Sequence, residues 1–369
     1  MDKLKINMLS KADSVDGQGV GSAYLEQVAL VKEASDLFEI TVNKRGKKKF
    51  DIFHIHSVNP GYYFKLRRYK KKLFVCYVHF LPDTLDGSIK LPKLFLKIFK
   101  KYVLSMYRRS DEIVVVNPIF IKPLIELGIE KDHITYIPHY VNKEDFHKLS
   151  EEEIDKVKDE YKLKKGKFTV LGVGQVQHRK GVLDFVEVAK MNPDIEFVWA
   201  GGFSFGKITD GYKELSAVVE NHPDNVTFLG IVPRTKMNEL YNACDCLFMP
   251  SYNELFPMSI LEAINSAKPV LLRDLELYED ILFHKYVVGT NNEEFSAALQ
   301  HLKNDPEYYK EQSENSTYLA NYYSKEHVLE IWREYYVRIY DDFYNKGINK
   351  RKKKKFKVNK EKKNNDEQK

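Results

Sequence analysis

What most constrains this chain is that short, largely apolar runs alternate with helical patterns, and that the alternation stops once and then begins again. In the first half the runs are Lys5 to Leu9, Phe38 to Val42, Asp51 to His56, Leu73 to Phe80 and Glu112 to Val116, with helical patterns at Ala23 to Ala34 and Leu91 to Arg109. Strands with no polar side are buried on both faces, which calls for helical crossovers and parallel pairing. A charged stretch, Glu151 to Lys167, interrupts the alternation. It resumes with Phe168 to Val173, Glu196 to Ala200, Val226 to Leu229, Cys246 to Met249 and Val270 to Leu272, between helical patterns at Leu183 to Lys190, Glu239 to Ala243 and Ser259 to Ala267. The expected fold class is α/β, with two parallel-sheet domains, 1–150 and 151–326, facing each other across a cleft. Trp332, Tyr335, Tyr336, Ile339, Tyr340 and Phe343 recur at helical spacing, predicting a closing helix over 327–345. The segment 346–369 is rich in Lys and Asn, lacks apolar periodicity and reads as a basic disordered tail.

Composition narrows the class further. With 369 residues, of which 43% are apolar and 13% aromatic, each half has material for its own core. The 3 cysteines, Cys76, Cys244 and Cys246, each lie inside an apolar run, so neither a disulfide framework nor a four-cysteine zinc site is expected, and a reducing compartment fits. The start of the chain has no leader pattern, and no apolar window reaches the roughly 20 residues that span a bilayer. Charge is unevenly placed: 26 Lys and Arg against 17 Asp and Glu in 1–150, 21 against 33 in 151–345, and 12 against 3 in 346–369.

Open parallel sheets bind ligands outside the carboxyl ends of their strands, so the loops there are where chemistry is sought. After the first strand, Ser14 to Ser22 forms a glycine-rich turn that includes Gly19 and leads into a helix, suited to close approach of a phosphate or sugar; it reads equally as a plain flexible turn. In the second half, Gly172-Val-Gly174-Gln175-Val-Gln-His-Arg179-Lys180-Gly181 places two cations at a strand-to-helix turn. Cations beside free N–H groups make an anion site, although both could be solvated surface charges. The spacing matches neither the dinucleotide fingerprint nor the P-loop, which disfavours a dehydrogenase or an ATPase. The segment Cys246 to Ala263 reads strand, loop, helix, with Pro257 at the helix start and Glu254 and Glu262 eight residues apart. Glutamates at that spacing are commonly surface charges, but here one sits at a strand end beside an anion-ready helix terminus. Histidines at strand ends are His54, His56, His79 and His139; core or loop roles are the commoner case, and His79 is the best placed to touch a substrate. Asp341 and Asp342 fall in the closing helix, Asp274 and Asp280 are isolated, and no aspartate pair brackets a cleft loop, so a metal-independent site without a cofactor is expected.

These residues resemble the retaining nucleotide-sugar glycosyltransferases of GT-B fold, which have two Rossmann-like domains. The motifs are Gly174-x-x-x-x-Arg179-Lys180-Gly181, Asn225 to Gly230, Pro250-Ser-x-x-Glu254 through Glu262-Ala263, Asp51-x-x-His54-x-His56 and Ile137 to Asn142, and the likeness spans about 1–345. The resemblance implies that Lys180, with Arg179, binds the donor diphosphate, that Glu254 contacts the transferred sugar, and that Glu262 holds the ribose hydroxyls. It also implies that His79 lies near donor sugar and acceptor, making His79, Lys180 and Glu254 the catalytic set. Gly19, Gly174, Gln175, Phe256, Pro257 and Met258 complete the implied donor site. Two positions depart from the family pattern: Gln175 stands where an arginine is usual, and Pro257, which has no N–H, where a glycine is usual. Ile6 to Ser10, Gly17 to Tyr24 and Phe256 to Ser259 are more narrowly similar to bacterial enzymes that add a second hexose to monoglucosyl-diacylglycerol for the lipoteichoic acid anchor. That likeness implies a UDP-glucose or UDP-galactose substrate and a glycolipid acceptor.

Physical patterning points the same way. Along Leu91 to Arg108, Leu94, Phe95, Leu96, Ile98, Phe99, Tyr102, Val103 and Met106 share one side of a helix and Lys93, Lys97, Lys100, Lys101 and Arg108 the other, the make-up of an interfacial helix or of a core helix with a solvated basic face. Basic clusters at 44–49, 65–72 and 350–357 would add attraction to an anionic membrane surface. No nucleic-acid recognition module is present, and nucleic acid is not an expected partner. The expected enzyme is a hexosyltransferase peripheral to the cytoplasmic face of the plasma membrane. Alternatives are a soluble retaining enzyme acting on polysaccharide, teichoic acid or protein, and a non-catalytic sugar-nucleotide binder.

Overall fold

The computed structural model describes residues 3–10, 19–78, 80–81, 93–203, 206, 211–254 and 256–347, without the side chains of 19–23 and 93. The described residues form two six-stranded sheets in which every strand pair is parallel. The first contains Leu4–Leu9 (β1), Phe38–Val42 (β2), Ile52–Ile55 (β3), Leu73–Val78 (β4), Glu112–Val115 (β5) and Ile134–Tyr136 (β6), in the order β2-β1-β3-β4-β5-β6. Strand β1 lies between β2 and β3, where Ile6 faces Ile40 on one side and Ile52 on the other. The second contains Thr169–Val173 (β7), Glu196–Ala200 (β8), Val226–Gly230 (β9), Cys246–Met249 (β10), Val270–Arg273 (β11) and Val287–Gly289 (β12), in the order β12-β11-β10-β7-β8-β9. Every residue of β3, β4, β5, β8, β10 and β11 is buried, as strands covered on both faces must be.

Helices connect the strands. In the first half they are Gly19–Glu33 (α1), Pro60–Arg68 (α2), Lys93–Tyr107 (α3) and Ile121–Glu126 (α4). Helix Glu151–Glu160 (α5) precedes β7, and Val182–Met191 (α6), Tyr212–Glu220 (α7), Arg234–Ala243 (α8), Met258–Asn265 (α9), Glu276–Leu282 (α10) and Asn292–Asn304 (α11) follow the strands of the second sheet. Local chemistry sets several starts. Asn59 caps α2 ahead of Pro60, Ser150 and Glu153 form a reciprocal capping box on α5, and Asp305 caps Pro306–Tyr322 (α12) by accepting from the amides of Glu307 and Tyr308.

The last helix, Lys325–Tyr340 (α13), continues as a π-helical turn over Asp341–Asn345. It does not finish the second half. Val328, Trp332, Tyr335, Tyr336, Ile339 and Phe343 are buried in the core of the first sheet, with Ile6, Phe38, Phe53 and Tyr77. The Tyr336 hydroxyl lies 2.7 Å from His54 Nδ1, and the Trp332 ring is 5.6 Å from the His54 ring. Arg333 grips Asp36 through both amino groups at 2.9 and 2.7 Å, and the Tyr344 hydroxyl donates to the Asp51 carbonyl at 2.8 Å. The chain thus passes between the halves twice, at Ile137 to Asn142 and again at Tyr323 to Lys325. Truncating the fully buried Trp332 to alanine removes a large ring from the first core and should cost about 3–5 kcal/mol, read as a lowered denaturant midpoint by circular dichroism.

Candidate active site

In the second sheet the chain runs outward from β7 to β8 and β9, then returns to the other side of β7 to lay down β10, β11 and β12. Loops leaving β7 and β10 therefore diverge and open a crevice between them. Glycine lets the β7 loop enter it. Gly181 has φ +69°, and a Cβ there would stand 2.3 Å from the Pro250 carbonyl oxygen at the end of β10. With no side chain, the single turn His178–Lys180 presses against β10, and the Tyr252 amide fastens it by donating to the Arg179 carbonyl at 2.9 Å. Gly174 is held from the other side: its amide donates to Ala200 at 3.0 Å, and its carbonyl accepts from Trp199 Nε1 at 2.9 Å.

The product of this packing is an ion pair. Lys180 Nζ lies 2.5 Å from Glu254 Oε1, with only 13% and 7% of the two side chains exposed. Beneath the β10 loop sits Arg273, a residue that sequence reasoning passed over. Its Nε donates to the Pro250 carbonyl at 2.9 Å, a terminal amino group donates to Thr290 at 3.0 Å, and its guanidinium lies 3.9 Å from the centre of the Tyr252 ring. An arginine ending an otherwise apolar strand was the available signal.

Not every expected site residue shares that pair. Gln175 accepts from Gln177 at 2.8 Å, and Gln177 in turn accepts from Arg179 Nε at 2.9 Å. Arg179 is exposed and lines a surface pocket with Leu183, Asp184, Glu187 and Tyr252, apart from Lys180 and Glu254. Pro257 precedes α9, whose first residue is Met258; the first amides of that helix have no partner within it and face anionic groups favourably. Phe256 packs against both cores, its ring 5.5 Å from His139 and 5.9 Å from Tyr323, so it joins the two chain crossings. Glu262, one turn further into α9, is 7% exposed. It accepts from the Tyr241 hydroxyl at 2.8 Å and lies 3.4 Å from Arg234 Nε, and it shares no partner with Glu254. Burial pushes the Glu262 carboxyl above its ordinary range, against the opposing pull of Tyr241 and Arg234.

In the first half, Gly19 opens α1, while His79 lies outside the described residues. His54 and His56 are buried in the core. His139 stands between the Tyr77 and Phe256 rings, where burial lowers its pKa to about 4 and keeps it neutral. Among the described residues, no three His, Cys, Asp or Glu side chains come together as metal ligands.

Helix α3 differs from its helical-wheel expectation. Val103, Met106 and Tyr107 enter the core, whereas Leu94, Phe95 and Ile98 remain more than half exposed, on a surface shared with exposed Lys97 and Lys101. The core takes only the C-terminal half of the apolar side. Lys100 is partly buried, the side chain of Lys93 lies outside the described residues, and Arg108 donates to the Leu127 carbonyl at 2.8 Å. Neighbouring α2 adds exposed Phe64, and the helices meet where the Tyr63 and Tyr102 rings lie 5.3 Å apart.

Replacing Gly181 by alanine forces a left-handed non-glycine residue and drives its Cβ into the Pro250 carbonyl. Stability should fall by about 2 kcal/mol or more in denaturant unfolding, since the turn that carries Lys180 is pushed off the end of β10.

Comparison with known proteins accords with this architecture. The family described as "Glycosyl transferases group 1" matches residues 153–318, and "Glycosyltransferase Family 4" matches residues 37–145. The alpha-galactosylglucosyldiacylglycerol synthase of Streptococcus pneumoniae is 44% identical over 339 residues, covering 91% of this chain and 90% of that protein. The processive diacylglycerol alpha-glucosyltransferase of Acholeplasma laidlawii is 27% identical, covering 80% of this chain and 87% of its own length. In fold, the chain is similar to the sucrose-phosphate synthase of Thermosynechococcus elongatus, with a TM-score of 0.73 at 15% identity over 92% of this chain and 99% of that one. It is also similar to Anabaena HepE in complex with UDP-glucose, with a TM-score of 0.71 at 14% identity over 91% of this chain and 100% of that one. Two six-stranded parallel sheets with helices around them are the GT-B arrangement, and the chain belongs to the group 1 glycosyltransferases.

Proposed function

We propose that this enzyme moves a hexose from a UDP-sugar to monoglucosyl-diacylglycerol at a membrane surface, with retention at the anomeric carbon, giving a dihexosyl-diacylglycerol. The observation that carries this reading is the 44% identity, along nine-tenths of both chains, to a synthase named for alpha-galactosylglucosyldiacylglycerol. That name favours UDP-galactose over UDP-glucose as donor.

In this reading the second half, 151–326, holds the donor and the first half, 1–150, the acceptor. Without donor, Lys180 is neutralised by Glu254. An arriving diphosphate takes over Lys180 and frees the Glu254 carboxylate for hydroxyls of the sugar. The acceptor hydroxyl then attacks C1 from the face that the diphosphate vacates. The bond from C1 to the phosphate oxygen breaks, and the hydroxyl proton passes to that departing oxygen. The protein stabilises the departing charge through Lys180 and the first amides of α9, and it positions the reactants. Pro257 contributes no amide, which leaves more of the charge to Lys180.

The acceptor comes from a lipid layer, and α2 and α3 form the docking face. Exposed Phe64, Leu94, Phe95 and Ile98 enter the interface, and Lys97 and Lys101 face anionic headgroups, each cation adding about 1 kcal/mol. Among the described residues, no helix is long and apolar enough to cross a membrane. In this reading the α2 and α3 face holds the enzyme on the surface of the membrane, on the side where nucleotide sugars are present.

The test offers UDP-galactose or UDP-glucose, radiolabelled, with monoglucosyl-diacylglycerol in anionic liposomes and with lipid-free glycans alongside. A labelled dihexosyl lipid is expected; label appearing only in soluble glycans would move the acceptor to polysaccharide. Lys180→Ala should lower turnover by roughly a hundredfold or more in protein assayed below its melting temperature, which itself falls because the buried Glu254 carboxylate loses its partner. The double variant Phe95→Glu, Ile98→Glu should lose co-sedimentation with anionic liposomes and retain its affinity for UDP.

A further inference from the structure

Arg234 opens α8 in the second half, and its guanidinium serves carboxylates from both halves. One terminal amino group pairs with Glu26 on α1, and its Nε faces Glu262 on α9 at 3.4 Å. The Phe146 ring lies beneath the guanidinium, 5.4 Å from its carbon, and helps to set its plane. Glu26 itself is 22% exposed in its side chain, and its backbone carbonyl accepts from the Tyr140 hydroxyl at 3.1 Å. Tyr140 stands on the Ile137 to Asn142 crossing between the halves. The other arginine pair on this side, Arg333 with Asp36, joins α13 to the first half and does not reach across.

We propose that Arg234 is a positioning residue for the donor site, a shared cation whose bond to Glu26 makes the approach of the two halves part of nucleotide binding. This rests on the reading of Glu262 as the partner of the ribose hydroxyls. Glu262 is buried, and one of its oxygens is engaged by Tyr241, so its negative charge requires a cation nearby. A cation wholly committed to Glu262 would occupy the lone pairs that ribose needs. Arg234 avoids this because its fork is divided: the terminal amino group goes to Glu26, and a longer contact leaves Glu262 able to accept hydroxyls. When the halves part, Glu26 withdraws and the guanidinium can fall fully onto Glu262. Nucleotide and first half therefore cooperate through one side chain, and coupling of this type must be reciprocal.

The experiment uses the full chain and two readouts, calorimetric titration with UDP and steady-state kinetics with UDP-galactose and glycolipid liposomes. Glu26→Gln, nearly isosteric and acting on Glu262 only through Arg234, should raise the Kd for UDP and the donor KM roughly five- to tenfold with kcat held within about twofold, a split that simple loss of folded protein does not produce. Arg234→Gln should do the same or more, and Arg234→Lys, which keeps the charge but not the fork, should recover only part of the loss. The double variant Glu26→Gln, Arg234→Gln should be no worse than Arg234→Gln alone, since both remove one interaction. Asp36→Asn, which breaks the pair within the first half, should leave Kd and KM unchanged. Wild-type values in Glu26→Gln, or strictly additive losses in the double variant, overturn the inference. A wild-type protein that binds no UDP overturns the donor-site reading and this inference with it.

Discussion

The site depends on the contact between β7 and β10, two strands more than seventy residues apart in the chain that pair through Val170 with Cys246 and Leu171 with Leu247. Because the strand order reverses at this seam, the loops that leave it cannot pack against each other along their length, and a crevice opens at their ends. Short segments carry one cation and one carboxylate, Lys180 and Glu254, to that crevice. Gly181 permits the approach: any larger residue would meet the Pro250 carbonyl and hold the Lys180 turn away from Glu254. Arg273 supports the same point from below by binding the Pro250 carbonyl that Gly181 presses against.

The second organising device is the double crossing between halves. Helix α13 leaves the second half and buries Trp332, Tyr336 and Ile339 against the first sheet, so the first core is completed by the end of the chain. Both crossings pass beside Phe256, which touches His139 on the outgoing strand and Tyr323 on the returning one. A ring packed against both cores ties the segment that follows Glu254 to both crossings. The Arg234 fork, with Glu26 on one side and Glu262 on the other, makes a similar link in charge rather than in packing.

Charge distribution separates the tasks of the halves. The second half carries an excess of acidic residues, and the cation that its packing brings to the crevice, Lys180, is held there by Glu254. The first half is basic, and exposed apolar side chains lie on α2 and α3 among lysines, the face that the proposed function turns toward lipid. Opposite signs on the two halves suit an enzyme that takes one substrate from water and the other from a membrane.

The sequence by itself determined the fold class and most of the strands, because strands buried on both faces leave unbroken apolar runs that can be read without a partner. It also located Lys180, Glu254, Glu262 and Phe256 on loops and a helix start at strand ends, since glycine, proline and the change of period mark those places locally. The short edge strands Ile134–Tyr136 and Val287–Gly289 were not legible, being three residues long and too brief to carry a period. Nor were Arg273, Arg234 and Glu26, whose roles lie in neighbours more than a dozen residues away. In α3 the pattern revealed an apolar side but not that only Val103, Met106 and Tyr107 would find a core, leaving Leu94, Phe95 and Ile98 outside. The same limit applies to α13: its amphipathic face was plain, but which sheet it would cover was not. Periodicity reports that a face must be buried, and only the tertiary structure decides against what, because burial is a property of residues brought together from distant parts of the chain.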